Sequence, residues 1–103
     1  MIKNFNDLEV YQTSYRLALE IHQITKKFPA HETYEIGSQL RRAALSVPLN
    51  IAEGYGKKRS LKDFKRFLNI SLGSCNETMV LIDFVKDLGY IEMKQNQELR
   101  ESY

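Results

Sequence analysis

Residues Arg41 to Ser60 read RRAALSVPLNIAEGYGKKRS. The stretch runs at helical spacing, carries Pro48 in its middle, and ends in Gly54-Tyr55-Gly56 followed by a burst of positive charge. Its reading decides the architecture. A glycine loop that grips phosphate would belong to a nucleotide-binding fold, whereas a basic corner between two helices belongs to a bundle. A Walker loop needs G-x-x-x-x-G-K followed by Ser or Thr; with Gly56-Lys57 as the G-K, position 51 is Ile and position 58 is Lys. A dinucleotide fingerprint fails as well, because Arg59 stands where its third glycine belongs and a helix, not a strand, precedes it. The stretch reads as a helix corner.

Working outward, helical spacing continues on both sides and no strand pattern competes. Upstream, Asp7 to Phe28 carries two adjacent stripes, Leu8, Tyr11, Tyr15 and Ala18 beside Val10, Leu17, Ile21, Ile24 and Phe28. Asn6 or Asp7 is placed to cap its start, Lys26 and Lys27 suit its negative end, and Phe28-Pro29 stops it. The second helix is expected from about Glu32 to Glu53, with Gly54 or Gly56 at a left-handed terminus. A third is expected from Ser60, with Asp63 in a capping-box pattern, to Leu88-Gly89. Its core stripe is Phe64, Phe67, Leu68, Ser71, Cys75, Met79, Ile82 and Val85, and Ser71, Gly73 and Ser74 are small enough to allow close helix approach. A short fourth helix starts near Glu92. The expectation is all-α: one domain over 1–103, an up-down-up-down four-helix bundle with a short fourth helix.

On a helical wheel the second helix has three faces. Ile36, Leu40, Ala43, Ala44, Val47 and Ile51 form the core face, and Leu45, Leu49 and Ala52 lie roughly opposite. A polar stripe of Gln39, Arg42, Ser46, Asn50 and Glu53 runs between them. Val80, Leu81 and Phe84 likewise lie off the core stripe of the third helix. Second apolar faces mark subunit contacts, so a homo-oligomer is expected through Leu45, Leu49, Ala52, Val80, Leu81 and Phe84. Pro48 frees the Ala44 carbonyl from its helical partner, and Ser46 and Asn50 are near enough to help satisfy the backbone there.

Charge is uneven. The 103 residues sum to only +2, yet 57–66 hold six basic groups against Asp63 alone, while 76–103 sum to −3. In a bundle, Lys57, Lys58, Arg59, Lys62, Lys65 and Arg66 gather at the end that also holds Lys3. Cations clustered this way neutralise phosphates and release counterions. Arg41 and Arg42 are weaker candidates for the same task, since either also suits a structural role. Tyr55 is the aromatic of the corner placed to reach a base, because Phe64 and Phe67 fall at core spacing.

Other chemistry finds no constellation. Diiron bundles use paired Glu-x-x-His, but Leu19 precedes His22 by three residues and Phe28 precedes His31. Two histidines and one cysteine make no zinc shell, and Cys75 suits a buried, inert thiol. No Ser–His–acid order emerges, so no enzyme, metal or cofactor is expected. One unpaired cysteine, no signal-peptide pattern and no uncharged stretch of membrane length point to a cytoplasmic protein.

The segments DLEVYQTSYRLALEIHQITKKFP, LRRAALSVPLNIAEGYGKKRS, FKRFLNISLGSCNE and KDLGYI together resemble a four-helix-bundle protein family. That family includes proteins encoded in intervening sequences of bacterial 23S ribosomal RNA genes, often labelled S23 ribosomal proteins. Accessory proteins of diversity-generating retroelements also belong to it. The most specific part falls on Arg41, Arg42, Ala43, Ser46, Pro48, Asn50, Ile51, Ala52, Glu53 and Gly54. The resemblance implies a ring-forming oligomer, commonly a pentamer, with a basic surface suited to RNA or DNA; it does not imply an enzyme. Members usually extend further in the fourth helix than Glu101-Ser102-Tyr103. The alternative to nucleic-acid binding is a protein-interaction adaptor whose basic rim meets an acidic partner.

Overall fold

A computed structural model describes all 103 residues, and it is all-helical. A 3-10 turn, Phe5–Asp7, leads into α1 (Glu9–Thr25); a single-turn α2 (Ala30–Thr33) precedes α3 (Ile36–Gly56), α4 (Leu61–Asp87) and α5 (Met93–Ser102). The four longer helices form the expected bundle, 44 × 23 × 19 Å, with α3 packed most extensively on α4 and next on α1. No helix is long and apolar enough to cross a membrane.

Neither Asn6 nor Asp7 caps α1. The Asp7 carboxylate instead accepts the Lys3 and Asn4 N–H groups, closing the 3-10 turn, and Leu8 precedes α1 without a side-chain cap. Of the two α1 stripes the second is the core: Leu17, Ile21 and Ile24 are buried, while Val10 and Tyr15 are exposed. The helix stops at Thr25, so that Phe28 turns back into the core and its ring stacks against Tyr90 at 5.3 Å.

The second expected helix begins four residues late, because Glu32–Glu35 belong to a separate turn. Pro29 starts that turn, and Glu35 breaks it at φ −103, ψ −98. The break is held by Arg41, whose guanidinium donates to the Thr33 carbonyl (3.0 Å) and to Thr25 Oγ1 (2.9 Å), tying α1, α2 and α3 together.

Around Pro48 the α3–α4 seam is polar and closely packed. Ser71 Oγ donates to the Val47 carbonyl (3.0 Å), Ser74 Oγ to Ser46 Oγ (2.8 Å), and Asn50 Nδ2 to the Ser46 carbonyl (2.8 Å). Asn50 therefore bonds the Ser46 carbonyl, two residues along from that of Ala44, and no side chain donates to the Ala44 oxygen. Gly73, by contrast, faces open space, so its small size serves no contact within the protomer. The buried stripe of α4 is Ser71, Ser74, Thr78, Ile82 and Val85; Leu68 is exposed at its edge.

The helix ends follow two different rules. Gly89, at φ +83, is the left-handed residue closing α4, with Tyr90 N–H donating to the Val85 carbonyl and Gly89 N–H to the Lys86 carbonyl. Gly54 and Gly56 are not left-handed. Gly54 is required for a different reason: a Cβ there would lie 3.0 Å from Phe67 Cβ, so its absence lets α3 press onto α4.

Finally, α5 docks on α4 through Asp83. Asn96 Nδ2 and Arg100 Nη1 both donate to its carboxylate, at 2.9 and 2.6 Å, and Leu99 is buried beneath them. The Asn96 hydrogen bond, with Arg100 beside it, holds the Asp83 carboxyl below the usual range.

Candidate nucleic-acid interface

The α3–α4 corner is made by Lys57, which closes α3, and Ser60, whose hydroxyl accepts the Asp63 N–H at 3.3 Å and opens α4. These two caps leave only Lys58 and Arg59 between them. Lys57, Lys58 and Arg59 therefore sit on a short, hydrogen-bonded turn rather than a long loop.

Lys57, Lys58, Arg59, Lys62, Lys65 and Arg66 are all exposed and all at this end of the bundle. One has an acidic partner, Lys57, whose Nζ lies 3.9 Å from the exposed Glu53 carboxylate, and such a surface pair is weak. Two others lie on aromatic rings. Lys58 Nζ is 3.9 Å from the Tyr55 ring centroid and the Arg66 guanidinium carbon is 4.4 Å from that of Phe67. Both rings are half-buried, and so is Phe64. Tyr55 is thus covered by a cation rather than presented bare.

The first turn of α4 contributes less than a free helix terminus would. Ser60 occupies one of its N–H groups and Asp63 adds a carboxylate, so attraction for an anion rests on the side chains. Lys62, Lys65, Arg66 and Asn69 line a shallow concavity of about 600 Å³ with Ile70. Asn69 was not singled out from sequence; it completes the i, i+3, i+7 series begun by Lys62 and Lys65, a spacing that would have found it.

Arg41 and Arg42 are not part of this corner. Sixteen residues of α3 separate Arg41 from Lys57, about 24 Å along the axis. Arg41 is spent on Thr25 and Thr33, while the exposed Arg42 borders a shallow groove over the α1–α3 seam with Tyr15, Leu19, His22 and Leu45. The proposed contact residues divide similarly. Leu45 (47%), Leu49 (59%), Val80 (67%) and Phe84 (52%) are exposed, whereas Ala52 is half-buried and Leu81 packs against the core.

No group of three or more His, Cys, Asp or Glu side chains comes close enough to hold a metal ion. Cys75 is half-buried, and burial pushes its thiol pKa up, away from nucleophilic use. It lines a groove of about 400 Å³ between α1 and α4 with Val10, Leu17, Ile51 and Leu72, ending at Tyr103.

A family model described as 23S rRNA-intervening sequence protein matches residues 6–103. No curated protein matches the chain.

Proposed function

The chain belongs to the 23S rRNA-intervening sequence protein family, and from that premise we propose that it is a non-enzymatic, oligomeric nucleic-acid-binding protein. It contacts RNA or DNA phosphates through Lys57, Lys58, Arg59, Lys62, Lys65 and Arg66. The observation that carries this reading is the corner itself: six exposed cations, three on the capped turn and three on the first turns of α4, with a single weak acidic partner. The RNA-related family description supports it. Binding of this kind is electrostatic, salt-sensitive and largely independent of sequence.

Oligomerisation is supported by two unlike apolar surfaces, one over the α1–α3 seam around Leu45 and Leu49, the other on α4 around Val80 and Phe84. Surfaces that differ pair head to tail, and such contacts close into rings when the rotation allows. A ring repeats the corner around one rim, so that weak contacts add. The family resemblance favours five copies.

The test is fluorescence anisotropy with labelled structured RNA and duplex DNA across a salt series, alongside protein with Lys57, Lys58 and Arg59 changed to Ala. Light-scattering mass measurement accompanies both. Salt-dependent binding that the triple change weakens, with fold and mass intact, is the expected result. A well-folded protein that binds neither probe at low salt would overturn the reading and leave the corner to an acidic protein partner.

A further inference from the structure

Proteins that hold single strands combine a cationic track with bare aromatic faces on which bases stack. The corner supplies the cations and withholds the faces. The Tyr55 ring lies under the Lys58 ammonium, and the Phe67 ring lies beside the Arg66 guanidinium. Phe67 is further committed by its Cβ, which meets the α3 backbone at Gly54. The exposed side chains Leu61 and Ile70 offer apolar contact but no π-face. Tyr15, exposed, stands over the α1–α3 seam beside Arg42, a different surface from the α4 row.

We infer, on the basis of the nucleic-acid reading above, that this corner selects double-stranded nucleic acid and discriminates against single strands. A duplex turns its phosphates outward, about one charge per 1.7 Å of axis, and keeps its bases stacked inside. A binder whose aromatic rings are half-buried, two of them under cations, loses nothing there. On a single strand it forgoes the stacking contribution that such ligands normally supply. The α4 cations are also held in register by their helix: Lys62, Lys65 and Arg66, with Asn69, rise from two turns, a row about 10 Å long. Groups already held in place give up less freedom on binding, which suits a stiff array of phosphates.

The experiment compares a duplex RNA and a duplex DNA, each about 20 base pairs, with oligouridine of about 20 nucleotides by anisotropy at matched phosphate and salt. Wild type and Tyr55→Leu are both titrated. The expected result is duplex binding at least about tenfold tighter than oligouridine, with a log–log salt slope reaching about −5 per protomer. Tyr55→Leu leaves both affinities within about twofold. The RNA-to-DNA ratio identifies which duplex is the source. Salt-dependent binding of oligouridine as tight as that of the duplexes, or its selective loss in Tyr55→Leu, overturns the inference while leaving the nucleic-acid reading standing. No binding of any probe overturns that reading, and the inference with it. If Tyr55→Leu does not fold, the wild-type ratio alone decides.

Discussion

The two halves of the bundle are built differently. In the half farthest from the basic corner, α5 fills the fourth column and Leu17, Ile21, Ile24, Phe28, Ile36, Leu40, Ala44, Ile82, Val85, Ile91 and Leu99 form one apolar cluster. In the corner half Val10, Leu17, Leu72 and Cys75 line a groove between α1 and α4, and the α3–α4 seam is crossed by hydrogen bonds from Ser71 to the Val47 carbonyl and from Ser74 to Ser46. The main apolar cluster lies in one half and the excess of positive charge in the other. Separating them matters, because six like charges repel one another and are best mounted where the core does not depend on them. What holds the corner half together is more directional: hydroxyl bonds and one close glycine contact fix the helix pair beside the buried Val47 and Ile51, which lie outside the main apolar cluster.

The largest expected effect comes from shortening one leucine in each half, buried in the first and at the groove edge in the second. Leu40→Ala, at a site 1% exposed, is expected to cost about 2–5 kcal/mol by urea denaturation. Leu68→Ala, on the edge of the groove, should cost about 1 kcal/mol or less. Equal losses would mean the two halves share one core. Gly54→Ala comes next: its methyl would press on Phe67 Cβ, and overpacking of that kind costs about 1–3 kcal/mol. Ser71→Ala should cost about 1 kcal/mol by the same measurement, from loss of its bond to the Val47 carbonyl.

Acid should loosen the α5 end while sparing the corner. The folded Asp83 carboxyl titrates below its usual value near 3.8, so its contribution is present above that value and is lost as pH falls through the lower, folded one. Protection factors of α5 amides, corrected for the intrinsic slowing of exchange in acid, should therefore fall below about pH 4, while those of α4 amides near the corner hold. Asp83→Asn should flatten that pH dependence. The smallest effect tests the outer face: Gly73→Ala, an exposed mid-helix site with nothing within 4 Å, should stabilise the isolated protomer by about 1 kcal/mol. Loss of assembly mass in that variant would instead put Gly73 in a subunit contact.

Local features were legible in sequence where local chemistry decides them. Ser60 opens α4 and Gly89 closes it, as their types and positions indicate, and Glu92 immediately precedes α5. The cation run is contiguous, so the corner could be named residue by residue. Features set by distant partners were not legible. The break before Ile36 depends on Arg41 reaching back to Thr33 and Thr25, eight and sixteen residues away. Gly54 looked like a helix terminator and is a spacer, because Phe67 lies above it. The covering of Tyr55 and Phe67 by their neighbours is a matter of rotamers, which spacing does not specify.

The length of the molecule has an electrostatic consequence. At physiological ionic strength a charge is felt over about 8 Å, far less than the 44 Å body. A polyanion touching the corner therefore meets the +5 of residues 57–66, and the −3 of residues 76–103 lies mostly beyond the screening length. In about 0.01 M salt that length grows to about 30 Å, and the acidic stretch enters the interaction. The effective valence of the corner toward any polyanion is then a property of the buffer as well as of the chain: strongly cationic at about 0.15 M salt, and closer to the formal +2 of the whole chain in dilute solution.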